Sequence, residues 1–107
     1  MGERLGDVAE KVRSKNAGPF WVTIDVFCGS ATAYRQVEAG LSSAAVAALF
    51  GVSETRLKRY DLPDLHVVKF SLPRPAVQGA AEDRDMHGAG WAAIVAAMPL
   101  TPNQTGA

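Results

Sequence analysis

The sequence predicts an α+β fold with an antiparallel sheet, and three observations support that class. Residues 21–28 and 65–72 alternate apolar and polar side chains, as half-buried strands do. Apolar residues recur at helical spacing after Ser30 and Ser42. The resulting order of strand, helix, strand, strand and helix is that of the split β-α-β unit of ferredoxin-like folds. We therefore expect a ferredoxin-like domain whose helices pack on one face of the sheet.

The N-terminal region is predicted to lead through a polar loop into the first strand. Leu5 and Val8 have helical spacing, although an extended segment over residues 7–12 is an alternative. Residues 13–20 read RSKNAGPF, and the Gly-Pro pair predicts a loop. Residues 21–28 follow as a strand, with Cys28 on its apolar face as a buried, inert thiol.

The remaining elements are bounded by capping and turn residues. Ser30 and Ser42 are predicted N-caps of two helical segments, and Gly51 ends the second. Residues 57–62 predict a short strand that ends at Pro63. Further expected elements are a strand over 65–72 with His66 on its apolar face, a loop over 74–81, a helix over 91–98 and a last short strand over 98–100.

Composition and charge predict one small cytoplasmic domain. The 107 residues are 48% apolar and 21% charged, so we expect a single domain over 1–107 with a flexible tail over 100–107. Eleven basic and eleven acidic residues cancel, which argues against nucleic-acid binding. No run approaches the roughly 18 apolar residues of a membrane span. The single Cys28 excludes an internal disulfide and fits a reducing compartment.

Residues 43–60 resemble a helix-turn-helix motif, with Arg56 and Arg59 on the second helix. Because the net charge is zero and Pro63 would shorten that helix, we retain DNA binding only as a minor alternative.

A second polar segment, residues 82–88, contains three carboxylates and His87. Asp85 and His87 are candidate acid-base groups together with Lys15. The spacing fits no established calcium or zinc motif, so a solvated charge run is the alternative. We expect no metal and no cofactor, although metal binding by residues 83–87 stays an open question.

Five short motifs are distinctive in the chain: LGDVA at 5–9, RSKNAGPF at 13–20, LFG at 49–51, RYDLPDLH at 59–66 and DMHG at 85–88. Together they resemble motifs of one bacterial family, the small stand-alone relatives of the AtuA-like ferredoxin-fold domain. AtuA-like proteins are the acyclic terpene utilisation proteins. In the larger proteins the first loop resembles Arg-Ser-Gly-Asp-Lys-Gly-Asn. Arg13, Ser14, Lys15 and Asn16 match it, while its Gly-Asp insertion is missing here.

The resemblance implies an accessory or small subunit that complements a large AtuA-like protein in the breakdown of branched or terpenoid carboxylic acids as coenzyme A thioesters. The Lys15/Asn16 loop would lie at an interface or shared active site, with Arg13 and Ser14 as further binding residues. We expect the domain not to be catalytic alone, and to form part of a hydratase- or lyase-type enzyme. The alternatives are a stand-alone hydratase or lyase of a carboxylic acid and a homo-oligomer that covers its sheet through Trp21, Phe27 and His66.

Overall fold

The computed structural model describes residues 3–74 and 88–101. Two single turns of 3-10 helix, Glu54–Arg56 and Pro63–Leu65, flank the third strand. The α-helices and strands in chain order are α1 (Leu5–Val8), β1 (Lys11–Asn16), β2 (Trp21–Phe27), α2 (Ala31–Gly40), α3 (Ser43–Phe50), β3 (Lys58–Leu62), β4 (Val67–Pro73) and α4 (Gly88–Ala96).

The strands form one antiparallel sheet in the order β1-β2-β4-β3, which confirms the α+β class. β4 is antiparallel to both β2 and β3, so β2 and β3 run parallel on either side of it. The neighbour of β2 on the other side is β1, which precedes it in the chain. The short strand expected over 98–100 is reduced to a single bridge between Arg4 and Pro99. A ferredoxin-like topology is therefore not confirmed.

The RSKNAGPF segment differs from the predicted loop, because its first half forms strand β1. Each residue from Lys11 to Asn16 pairs with a residue of β2. The loop is confined to the turn at 17–20, where the Ala17 N–H donates to the Trp21 carbonyl at 2.8 Å and Gly18 has φ +80°. β1 has no continuous apolar face. It forms because its backbone pairs with β2 and because α4 packs against it.

The core lies between one face of the sheet and the helices. Side chains at alternate positions of β2 and β4 are fully buried and meet buried residues of the helices. The Ser30 and Ser42 hydroxyls accept hydrogen bonds from backbone N–H groups three residues later, which confirms both predicted N-caps. The buried core residues of the sheet are Val22, Ile24, Val26, Val68, Phe70 and Leu72; those of α2, α3 and α4 include Tyr34, Val37, Val46, Trp91 and Val95.

Arg59 joins β3 to the end of α2. Its guanidinium donates to the carbonyls of Leu41 and Glu38 and to the Asp61 carboxylate, and it lies over the Phe70 ring at 5.6 Å. The helix-turn-helix hypothesis is wrong for this segment, since the residues after Arg56 form strand β3 and not a second helix. The alternation of Leu57 to Leu62 and the nearby Pro63 already favoured a strand.

The C-terminal part of the described chain is anchored to the rest of the domain. Leu100 is buried, its N–H donates to the Glu3 carbonyl, and the Thr101 N–H donates to the Gly40 carbonyl. The tail predicted over 100–107 therefore does not begin at Leu100, and its residues 102–107 lie outside the described ones. Within residues 3–74 and 88–101, no helix combines the length and apolarity that crossing a membrane requires.

Candidate functional site

The sheet face opposite the described helices is the candidate site, because its side chains are cationic, polar and aromatic. Strand pairing aligns them in three rows across β1, β2, β4 and β3. We call this surface the open face. Its first row is Lys15, Thr23, Ser71 and Lys58; its second is Arg13, Asp25, Lys69 and Tyr60; its third is Lys11, Phe27, Val67 and Leu62.

The open face is strongly basic although the chain has no net charge. Among the described residues, its strand positions carry five cations, Lys11, Arg13, Lys15, Lys58 and Lys69, and one carboxylate, that of Asp25. Glu10 adds a second carboxylate in the depression that Lys11 and Arg13 line. Among the described residues, none of these five cations has a carboxylate oxygen within 4.0 Å. The ion pair that does form, between Arg59 and Asp61, lies on the other side of the sheet. The cations of the open face are therefore available to an external anion.

Aromatic side chains accompany these cations. Trp21 is 36% exposed at the end of β2, Tyr60 is 46% exposed on β3, and Phe27 is half-buried. Two depressions on the β1–β2 side of the face are lined mainly by charged residues, and Arg13 and Phe27 contribute to both. A third depression, above β2, β4 and β3, is lined by Thr23, Tyr60, Leu62, Lys69 and Ser71.

The structure divides the four predicted binding residues between the two faces of the sheet. Arg13 and Lys15 lie on the open face, whereas Ser14 and Asn16 occupy the alternate positions, on the side of the helices. Lys15 and Asn16 are therefore not presented together by a loop, because adjacent residues of a strand point in opposite directions. Asp85 and His87, the candidate acid-base groups, lie outside the described residues, so their predicted role stays a prediction.

Cys28 and His66 lie at the far end of the sheet from the β1–β2 turn. Cys28 is buried, as predicted, and burial raises the pKa of its thiol to about 11. His66 was predicted to lie within the strand over 65–72, but it lies in the turn that precedes β4. Its φ is +56°, and its half-buried ring lies near Tyr34. Burial also raises the pKa of the Tyr34 phenol. No group of three or more metal-ligating side chains occurs among residues 3–74 and 88–101.

Lys11, Lys58, Lys69 and Tyr60 are the open-face residues that were not predicted as site residues, whereas Trp21 and Phe27 were predicted for a self-association surface. The cations at positions 11, 13 and 15 have a period of two, which could have indicated a strand with a cationic face. Their placement beside Lys69 and Lys58 depends on the pairing of distant strands, for which the sequence carries no local signal.

Comparison with known proteins identifies one family. A family described as "Domain of unknown function (DUF4387)" matches residues 5–98. No curated protein matches the chain. No solved structure matches it either.

Proposed function

The chain belongs to the DUF4387 family, a domain of unknown function, and we propose that it acts as an accessory subunit that docks its open face onto a larger protein. The resemblance described above makes a large AtuA-like protein the proposed partner, and the breakdown of branched or terpenoid carboxylic acids the proposed process. Arg13 and Lys15 would contribute cationic groups to the interface or to an active site shared across it.

The observation that carries the proposal is the charge of the open face. Among the described residues, five cations and two carboxylates, Asp25 and Glu10, occupy a sheet surface that also exposes Trp21 and Tyr60. Aromatic and cationic side chains on one surface are typical of protein interfaces. Two copies of this face would repel one another, so the charge favours a different and acidic partner over face-to-face self-association.

The position of β1 places its cations where a partner can reach them. β1 is an edge strand, and Arg13 and Lys15 are exposed along it. The turn that joins β1 to β2 ends at Phe20, whose side chain is 73% exposed. Lys15 therefore lies between an exposed aromatic residue and the centre of the open face.

The test is co-expression with the AtuA-like protein of the same organism, followed by affinity capture and measurement of the dissociation constant. We expect a stable complex that the double substitution Arg13→Gln/Lys15→Gln weakens by about 10- to 100-fold, because each interfacial charge contributes roughly 1 kcal/mol. The affinity of the original complex should also fall as the salt concentration is raised.

The matched control is Arg35→Gln/Arg56→Gln, which removes the same charge from exposed positions outside the open face. It should leave the dissociation constant within about twofold of the original value. Absence of a complex, or equal weakening by both double substitutions, would refute docking through the open face.

A further inference from the structure

We infer that the third depression of the open face, lined by Thr23, Tyr60, Leu62, Lys69 and Ser71, binds a carboxylate with a compact apolar body. We call it the Tyr60 depression. This inference deepens the proposed function, because the depression lies on the face that would dock. Binding to the free chain nevertheless requires no partner, so the two proposals can fail separately.

The polar end of the Tyr60 depression offers a cation and two hydroxyls. Lys69 and Ser71 lie two residues apart on β4, and Thr23 is the cross-strand partner of Ser71 on β2. The three side chains therefore lie on the same side of the sheet, where Asp25 is the cross-strand partner of Lys69. A carboxylate can accept hydrogen bonds from a lysine ammonium and from neighbouring hydroxyls.

Thr23 gives an independent indication of a ligand. Its Oγ1 atom is inaccessible to solvent and has no hydrogen-bond partner among the described residues. A buried hydroxyl left without a partner costs about 1–3 kcal/mol, so such groups are normally satisfied. A carboxylate held by Lys69 at this end of the depression would accept the Thr23 hydroxyl hydrogen once the side chains that cover Oγ1 move aside.

The other end of the depression is apolar and selects the body of the ligand. Tyr60 and Leu62 occupy alternate positions of β3, so both side chains lie on the open face. Tyr60 stands across from Lys69, which places the aromatic ring beside the cation. The depression is shallow and open to solvent, with a volume of about 390 Å³.

The composition of the lining distinguishes this ligand from a phosphate. Lys69 is the single cation of the five lining residues, and Tyr60 and Leu62 add apolar surface that an inorganic anion would not use. The neighbouring depression beside β1 is more polar, since Arg13, Lys15 and Asp25 line it together with Ser14 and Phe27. We therefore assign the apolar body to the Tyr60 depression.

The experiment is a titration of the free, ¹⁵N-labelled chain with sodium benzoate, followed by amide chemical shifts. We expect saturable shifts confined to β2, β3 and β4, with a dissociation constant in the low-millimolar range or tighter. Lys69→Met and Thr23→Val should each raise that constant at least about fivefold, which corresponds to roughly 1 kcal/mol. Thr23→Ser, which keeps the hydroxyl, should bind benzoate nearly as tightly as the original chain.

The controls separate carboxylate recognition from general attraction to the basic surface and from apolar binding alone. Lys11→Met removes a cation from the far side of the open face and should leave the constant within about twofold. Neutral benzamide should bind at least about fivefold more weakly than benzoate. Equal binding of benzamide, equal binding of inorganic phosphate, or the absence of saturable shifts would each overturn the inference.

The partner experiment remains independent of these outcomes. A complex with the AtuA-like protein but no benzoate binding overturns the ligand site alone. Benzoate binding without any complex overturns the accessory-subunit proposal alone.

Discussion

Replacing Arg59 by methionine should destabilise the domain far more than replacing an exposed arginine. The substitution keeps an unbranched apolar stem beside Phe70 but removes the guanidinium. That group donates to the Glu38 carbonyl at 3.0 Å and to the Asp61 carboxylate at 2.7 Å, and it also donates to the Leu41 carbonyl. These contacts hold the end of α2 against β3.

The magnitude follows from the environment of each contact. The Arg59 side chain is 16% exposed, so its two hydrogen bonds to the carbonyls of Glu38 and Leu41 should contribute about 1–1.5 kcal/mol each. The Asp61 side chain is 37% exposed, so that ion pair adds at most about 0.5 kcal/mol. The free energy of unfolding should therefore fall by about 2–3.5 kcal/mol. For a domain of this size the melting temperature should drop by roughly 10–20 °C.

The assay is urea unfolding followed by circular dichroism, with Arg56→Met as the matched control. Arg56 is exposed in the adjacent 3-10 turn, and its replacement should change the free energy of unfolding by less than about 0.5 kcal/mol. Arg59→Lys keeps the charge but not the planar fork, and an intermediate loss is expected. Equal, small effects of Arg56→Met and Arg59→Met would refute the reasoning, since Arg59 would then behave as the solvated surface residue of a helix-turn-helix motif.

Three further predictions concern two buried positions, Cys28 and Gly40. Burial raises the pKa of Cys28 to about 11, so the thiol should react with iodoacetamide at pH 8 much more slowly in the folded chain than in urea; equal rates would contradict its burial. Because the folded pKa exceeds that of the unfolded chain, the stabilisation linked to this thiol is complete below about pH 8.5 and is lost as the pH rises through 11; Cys28→Ser should remove this component of the pH dependence. Gly40→Ala should destabilise by about 1–3 kcal/mol despite the higher helix propensity of alanine, because the added Cβ would lie 2.8 Å from the Thr101 carbonyl oxygen. Thermal unfolding of this variant and of Ala39→Gly, a change at an exposed neighbouring position, measures whether Gly40→Ala lowers or raises stability. A gain in stability on Gly40→Ala would contradict the close approach.

The elements with strong local signals were predicted correctly. The alternation of apolar residues predicts β2 and β4, because one face of each strand is buried. The helices α2 and α3 begin after serine caps, and Gly51 ends α3 in the left-handed conformation that glycine adopts at low cost. Such signals act over a few residues and can be read directly from the chain.

β1 lacked such a signal, which explains why it was predicted to be a loop. Its positions on the side of the helices include Ser14 and Asn16 and not a continuous apolar set. The strand is specified by its partner β2 and by the packing of α4, both of which lie outside the segment itself. The resemblance implies binding roles for Arg13 and Lys15, but it does not indicate that Ser14 and Asn16 point to the opposite face.

The sequence by itself determined the α+β class, the helix caps and the burial of Cys28. The tertiary structure decided which cations share a surface, because Lys11, Lys58 and Lys69 come together only through the register of strands that are distant in sequence. Net charge is a sum over all residues and is zero here, whereas the charge of a surface depends on how the strands are paired. A basic open face on a neutral chain is a consequence of that pairing.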